Sequence, residues 1–418
     1  MTAAALVTIA ETWYVGQLGI LPLAGMALVF PYIMLQQMFS AGSMGGAISS
    51  AISRALGAGN QAKANALVLH ATFIAIGIGV GFTLVFLLFS QTIFQLMGGS
   101  GEALVQCLAY AHVAFLGSIS VWLTNAFASV IRGSGNMRLP SAVLLIGSLA
   151  QVILSGVLGL GLGPIPGFGM QGIAAGFLLG FSGSAIYLFL YLRSPRSTLQ
   201  LTFDSPLSKP LFMDILKVGA MSSLSPLQTV ASIVILTRLI SNFGPEALAG
   251  YGIGSRLEFL LVPMTFAFGV ACVPMVGMAL GAKMAQRAKQ VAWLGSLLSA
   301  IMVGGIGFVV TFWPQLWSGL YTHNPSVLAN AALYFEWVGP CYAFFAFGLC
   351  LYFASQGAGK MLGPVLAGAL RLLVVAVGGI WLTQNNGSTD QMFSLIAWGM
   401  VCYGLGTALA VYKVKWSA

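Results

Sequence analysis

The sequence predicts an all-α polytopic membrane protein of twelve transmembrane helices, built as two six-helix bundles related by a parallel internal repeat. Three observations carry that prediction: an apolar composition nearly free of charge, an alternation of basic residues between the apolar runs, and motifs that recur at a constant offset. Hydrophobic residues make up 58% of the chain and charged residues 6%, where a soluble domain carries about 25% charged residues. The mean hydropathy of +0.94 agrees. The 53 glycines fall among apolar runs, as in membrane helices that use Gly for close packing. The short alternating segments of a membrane β-barrel are not seen. The net charge of +9 is spread thinly, and no cluster of Lys and Arg interleaved with aromatics suggests nucleic acid. Cys107, Cys272, Cys341, Cys350 and Cys402 lack CxxC spacing and read as small core residues.

In chain order the apolar runs predict spans at 1–18, 23–52, 65–92, 103–131, 139–160, 169–192, 214–240, 246–280, 290–313, 327–355, 363–383 and 391–412. Span 1 begins at the first residue without a polar lead-in, the pattern expected of a trimmed or mis-assigned start. It lacks the basic n-region of a signal peptide. The polar segment 193–213 separates an N-terminal lobe, 1–192, from a C-terminal lobe, 214–418, and reads as a cytoplasmic linker.

The charges test this count. Lys63 follows span 2, Arg132 and Arg138 follow span 4, and Arg193, Arg196 and Lys209 follow span 6. Lys283, Arg287 and Lys289 follow span 8, Lys360 follows span 10, and Lys413 and Lys415 follow span 12. With Arg54 and Lys217, 14 of the 17 basic residues fall on one side. By the positive-inside rule that side is cytoplasmic, and so are both termini.

The halves also repeat. ALGAGNQAKA at Ala55 matches ALGAKMAQRA at Ala279, and RGSGNMRLP at Arg132 matches QGAGKMLGP at Gln356, both at an offset of 224. LAGM at Leu23 and LAGY at Leu248 differ by 225. Six spans separate the copies, so they share one orientation, an arrangement found in transporters.

Ionisable residues inside spans are the candidates for chemistry. Glu11, one of eight acids in the chain, is roughly 10–12 Å from the outer end of span 1 at 1.5 Å per residue. Its lobe offers no deep cation, and an isolated carboxylate in a low dielectric tends to hold a proton until water or a cation reaches it. That is the behaviour of an ion-coupling site. A structural alternative is a protonated Glu11 bonded to Gln151 or Ser155. Gln36, Asn125, Gln151 and Ser155 are candidate cavity or substrate residues, or interhelical hydrogen bonds alone. Arg256, Glu258, Glu336 and Arg371 form a C-lobe charged cluster of zero net charge, expected either to pair inside the bundle or to serve transport, with Arg256 and Glu258, two residues apart, unable to be each other's main partner. His70, His112 and His323 show no metal spacing and no phosphate loop is present. The expectation is therefore no enzyme, no metal and no cofactor beyond a coupling ion, H⁺ or Na⁺.

The stretch ETWYVGQLGILPLAG, from Glu11, resembles the first-helix signature of the multidrug and toxic compound extrusion (MATE) family. ISRALGAGNQAKA and IRGSGNMRLP are similar to that family's connections after spans 2 and 4, and YGIGSRLEFLLVP and ASQGAGKMLGP to their second-half counterparts. The resemblance covers essentially the whole chain. It implies an exporter of organic cations or other amphipathic compounds in exchange for H⁺ or Na⁺, with two lobes alternating between inward- and outward-open forms. Glu11 falls where the family has Asp. The archaeal-type relay of the family adds an Asn and an Asp in span 5; at the matching positions stand Gln151 and Ser155, so the second acid is absent. A subset has an acid in span 7, where this chain has Thr229.

The reading is a secondary antiporter of the inner membrane, a monomer whose partners are a small amphipathic or cationic substrate and the lipid bilayer. The rival is a lipid-linked oligosaccharide flippase of the same superfamily. Such a protein needs a cation-rich cavity, and the first half has no deep Arg or Lys.

Overall fold

In hydrocarbon every backbone amide must be satisfied within its own segment, which leaves helices as the economical way to thread this chain through a bilayer. The computed structural model describes residues 2–161, 164–203, 206–414 and 416. Among them, ten helices are long and apolar enough to cross a membrane: α2 Ile20–Gly57, α3 Gln61–Leu96, α5 Arg138–Leu160, α6 Gly169–Arg193, α7 Lys209–Phe243, α8 Pro245–Gly281, α9 Ala285–Phe312, α10 Pro325–Gly357, α11 Leu362–Gln384 and α12 Thr389–Lys413. An eleventh crossing, α4, is a pair, Gly101–Leu116 and Ser118–Gly133, bent by 45°. The helix α1, Thr2–Leu18, is 17 residues long and precedes them.

Most helices overrun their apolar stretches by a few residues, because polar caps extend them past the hydrocarbon. Asn60 accepts the Lys63 amide to start α3, Asn324 caps α10 ahead of Pro325, and Ser388 and Gln391 form a capping box on α12. Two helices are interrupted internally: α2 by a π-helical turn at Met38–Met44, and α10 by a 3₁₀ turn at Gly339–Cys341. Lys415, counted above with the cytoplasmic charges, lies outside the described residues.

The chain divides into two units, Met1–Gly219 and Ala220–Ala418. The repeat seen in the motifs is present in the backbone of each unit. Left-handed residues recur at the same offsets: Gly19 with Gly244, Gly59 with Lys283, Gly135 with Gly359, and Gly161 with Asn386. So do close helix approaches. A Cβ on Gly25 would stand 2.8 Å from the Cys107 nitrogen, and one on Gly250 would stand 2.9 Å from the nitrogen of Ala331, the counterpart of Cys107. Gly79 meets Ile119 as Gly304 meets Ala343, each at 2.8 Å, and Gly133 meets Ser49 as Gly357 meets Val273. The shared turns and glycine contacts make the two units copies of one six-helix plan.

The polar linker is tied to the first unit. Gln61 Nε2 donates to the Thr198 carbonyl at 2.6 Å, Asn65 Oδ1 accepts the Gln200 amide at 3.2 Å, and His70 Nε2 accepts the Ser208 amide at 2.9 Å. Asp214, in the second turn of α7, takes Arg54 at 2.6 Å and Lys63 at 3.1 Å.

Candidate functional site

The face that α1 turns to its bundle is set by periodicity. Val7, Glu11 and Val15 are four residues apart and share one side of the helix. All three are buried, whereas Ile9 and Trp13 are exposed. A carboxylate thus sits in the middle of an otherwise apolar packing stripe.

Its partners come from α5, where Gln151 and Ser155 are also four apart and also buried. Gln151 Nε2 donates to Glu11 Oε1 at 2.7 Å. Ser155 Oγ is 3.4 Å from the same oxygen and donates to the Ile173 carbonyl of α6 at 3.0 Å. A serine hydroxyl has a single proton but two acceptor lone pairs, and the shorter bond goes to Ile173. An ionised Glu11 can therefore take the amide hydrogen of Gln151, and a protonated Glu11 can donate to Ser155. The pair accommodates both protonation states, and no described cation lies within 4 Å of the carboxylate.

Helix α6 fixes the depth at which these partners sit. Gly172, Gly176 and Gly180 form a stripe at four-residue spacing that lets α5 approach to backbone contact. A Cβ at Gly180 would be 2.8 Å from Gln151 Cβ, and one at Gly176 would be 2.3 Å from both the Ser155 amide nitrogen and Oγ. The other wall is Tyr14, one turn beyond Glu11, whose ring lies 2.8 Å from where a Gly156 Cβ would stand. Small residues at three positions thus place the two α5 polar side chains against α1.

Gln36 and Asn125 belong elsewhere. Asn125 Nδ2 donates to Ser40 Oγ at 2.8 Å and to Gln37 Oε1 at 3.2 Å, at the π-helical turn of α2. Gln36 is buried with its Nε2 lacking a partner, as is Trp122 Nε1. Of the four candidate polar residues, Gln151 and Ser155 thus belong to the Glu11 site and Asn125 to an α2–α4 junction, while Gln36 is bonded to neither.

The expected pairing of the C-lobe charges is not found. Glu258 takes the Tyr334 hydroxyl, Arg256 lies over the Tyr321 ring at 5.0 Å, and Arg371 over the Phe345 ring at 5.1 Å. Glu336 is exposed, and no two of the four charged groups come within 4 Å. The cause is helical geometry: Arg256 and Glu258, two residues apart, leave α8 in different directions, and Glu336 leaves α10 on the opposite side from the buried Tyr334 and Phe335.

Sequence reasoning missed Tyr110 of α4, a fully buried phenol without a hydrogen-bond partner among the described residues. The repeat holds the signal for it. Its counterpart at an offset of 224 is Tyr334, which bonds Glu258, the half-buried acid of the second unit. At the offset of 225 set by the LAGM and LAGY motifs, the counterpart of Glu11 is Leu236, a buried core residue, rather than the nearby Arg238, which is exposed. The first-unit site therefore has no polar copy at that place in the second.

Comparison with known proteins gives one family. The MatE family model matches residues 1–157 and 223–381. A FAD transporter of Shewanella oneidensis is 23% identical over 83% of this chain and 76% of its own length. A probable multidrug resistance protein, NorM, of Thermotoga maritima is 24% identical over 85% of this chain and 77% of its own. A solved structure, described as the outward-facing conformation of a multidrug resistance MATE family transporter of the MOP superfamily, superposes with a TM-score of 0.89 at 22% identity. It covers 99% of this chain and 92% of that one, and the likeness shows the fold.

Proposed function

The chain belongs to the MatE family of multi-pass membrane transporters, and from that premise we propose that it is a secondary antiporter exporting organic cations or other amphipathic compounds. The exchange ion is H⁺, with Na⁺ as the alternative, and both termini face the cytoplasm of a bacterial inner membrane. It is a transport protein rather than an enzyme. The flippase reading is not favoured, since the relatives matched are transporters of small molecules.

The observation that supports this is the setting of Glu11: buried, and held by the neutral side chains of Gln151 and Ser155 with no described cation within 4 Å. A carboxyl group held in this way exchanges one proton for one cationic ligand at modest cost, because neither state strands a fixed counter-charge. Protonation from outside favours the packing of α1 that releases substrate. In the inward-open state, substrate entry and proton loss favour each other. Only a difference in affinity between the two states can drive this cycle, and one carboxylate suffices to couple the two fluxes.

Accumulation of ethidium or Hoechst dye in cells, with and without a proton uncoupler, tests the export reading. Uncoupler-sensitive exclusion is expected; exclusion indifferent to the uncoupler but lost without sodium would assign Na⁺. FAD belongs among the test compounds, because a FAD transporter is among the relatives.

A further inference from the structure

Two of the five cysteines meet inside the second unit. Cys272 of α8 and Cys350 of α10, 78 residues apart in the chain, bring their sulfurs to 3.9 Å. Cys350 is fully buried and Cys272 nearly so, and both are free thiols. Helix α9 forms the third side. The Val291 carbonyl stands 4.0 Å from Cys272 Sγ, and Gly295 faces both sulfurs. A Cβ at Gly295 would overlap Cys272 Sγ and stand 3.9 Å from Cys350 Sγ, so only a glycine lets the sulfurs lie as they do. The shell around them is hydrocarbon, with Val276, Ala292, Leu351 and Ala354 in the same packed cluster. No group of three or more His, Cys, Asp and Glu that could hold a metal gathers among the described residues, so the pair is a two-ligand set.

The repeat provides an internal control on packing. At an offset of 224 the counterparts of Cys272, Cys350 and Gly295 are Ile48, Ala126 and Ala71, and all three are buried. One helical plan therefore accepts plain hydrocarbon at each of these places. The second unit puts sulfur at two of them and removes the side chain at the third, where the sulfur needs room. A buried cysteine packs as a small hydrophobe, and what sets it apart from one is its reactivity and its affinity for metals. The spacing suits the latter. A thiolate–metal bond of the zinc type is about 2.3 Å long, so one ion reaches two sulfurs that lie within about 4.6 Å of each other. At 3.9 Å the pair falls inside that span with neither helix displaced.

We propose that Cys272 and Cys350 form a two-sulfur site for a soft divalent cation such as Hg²⁺ or Cd²⁺, which bridges α8 to α10. Two thiols and M²⁺ give M(SR)₂ and two H⁺, so no oxidant enters and the complex is neutral. Thiolates select soft ions, and neutrality selects among these. Cu⁺ or Ag⁺ on the same pair would leave a net negative charge in a hydrocarbon shell, which a low dielectric penalises. The charge before the site on α9, Arg287, is two turns from Gly295, roughly 12 Å along the axis at 1.5 Å per residue. Zinc in a closed site takes four ligands, twice what the pair supplies.

Native mass spectrometry of the full chain in detergent, loaded with HgCl₂ and then challenged with β-mercaptoethanol, tests this. An ion held by two thiols of one protein resists a competing monothiol, because its second bond is intramolecular. The wild type should keep one mercury with the loss of two protons and no attached chloride or mercaptan. Cys272→Ser and Cys350→Ser, close in size to the native residues, should each be stripped at a monothiol concentration about a hundredfold lower. A Cys107→Ser/Cys341→Ser/Cys402→Ser triple variant should behave as the wild type. Gly295→Ala, which sets a methyl against Cys272 Sγ, should weaken retention with both thiols intact. Stripping of the wild type at the same monothiol concentration as Cys272→Ser overturns the proposal. So does retention that survives Cys272→Ser in monodisperse protein, retention lost in the triple variant, or zinc held as firmly as mercury.

Discussion

Gln151 donates its side-chain amide to Glu11 Oε1 across 2.7 Å, so the buried acid of α1 is held by a neutral group rather than a cation. A salt bridge in that place would oppose release of the carboxylate to a proton or substrate. A neutral donor leaves both exchanges open. A hydrogen bond to a charged group is worth about 1.5–3 kcal/mol, and tenfold corresponds to about 1.4 kcal/mol. Gln151→Leu should therefore slow proton-driven transport about tenfold or more at unchanged expression, measured as dye efflux from proteoliposomes.

The α6 glycines are predicted to act by position, not by composition. Gly176→Ala sets a methyl 2.3 Å from the Ser155 backbone, which cannot move aside, whereas Gly183 has nothing within 4 Å of a Cβ. Overpacking of this kind costs about 1–3 kcal/mol. Gly176→Ala should lower the melting temperature in detergent and reduce transport together, and Gly183→Ala should alter neither.

Asp214 bridges Arg54 and Lys63 with side chains 22–41% exposed, so the stability at stake is small, about 0–1 kcal/mol. The local effect is larger than the global one. Asp214→Asn should shift the melting temperature little, yet speed proteolysis within residues 194–208. High salt should produce the same acceleration in the wild type.

Lys283 and Gly59 take the same turn with different side chains, and a left-handed residue with a Cβ is strained. Lys283→Gly should raise stability by up to about 1 kcal/mol, read as a higher melting temperature in lipid-free detergent. Gly59→Ala should lower it.

The fold was legible to an unusual degree because membrane burial writes itself into composition. Every predicted span corresponds to one helix or one bent helix pair, and the repeat announced in ALGAGNQAKA and ALGAKMAQRA extends to left-handed residues and glycine contacts that no motif search reads. Where helices overran their apolar runs, as at Gln61 and Pro325, polar caps extended them. The site was legible only in part. Glu11 stood out because acids are rare here, and Gln151 and Ser155 stood at the spacing of one α5 face. Tyr110 was silent: a phenol among apolar residues reads the same whether it packs or bonds. The C-lobe charges misled for the opposite reason, since charge neutrality along the chain does not bring side chains together. Rings at Tyr321 and Phe345 and the hydroxyl of Tyr334 receive them instead.

The central claim is that Glu11 carries the coupling ion. The direct measurement is substrate-driven proton movement in proteoliposomes held in sodium-free buffer with an imposed pH gradient, comparing wild type, Glu11→Gln and Glu11→Asp. The account predicts that Glu11→Gln binds dye but neither moves protons nor responds to the gradient, while Glu11→Asp, one methylene shorter, retains coupling at a reduced rate. Substrate-driven proton flux at the wild-type rate in Glu11→Gln would contradict it.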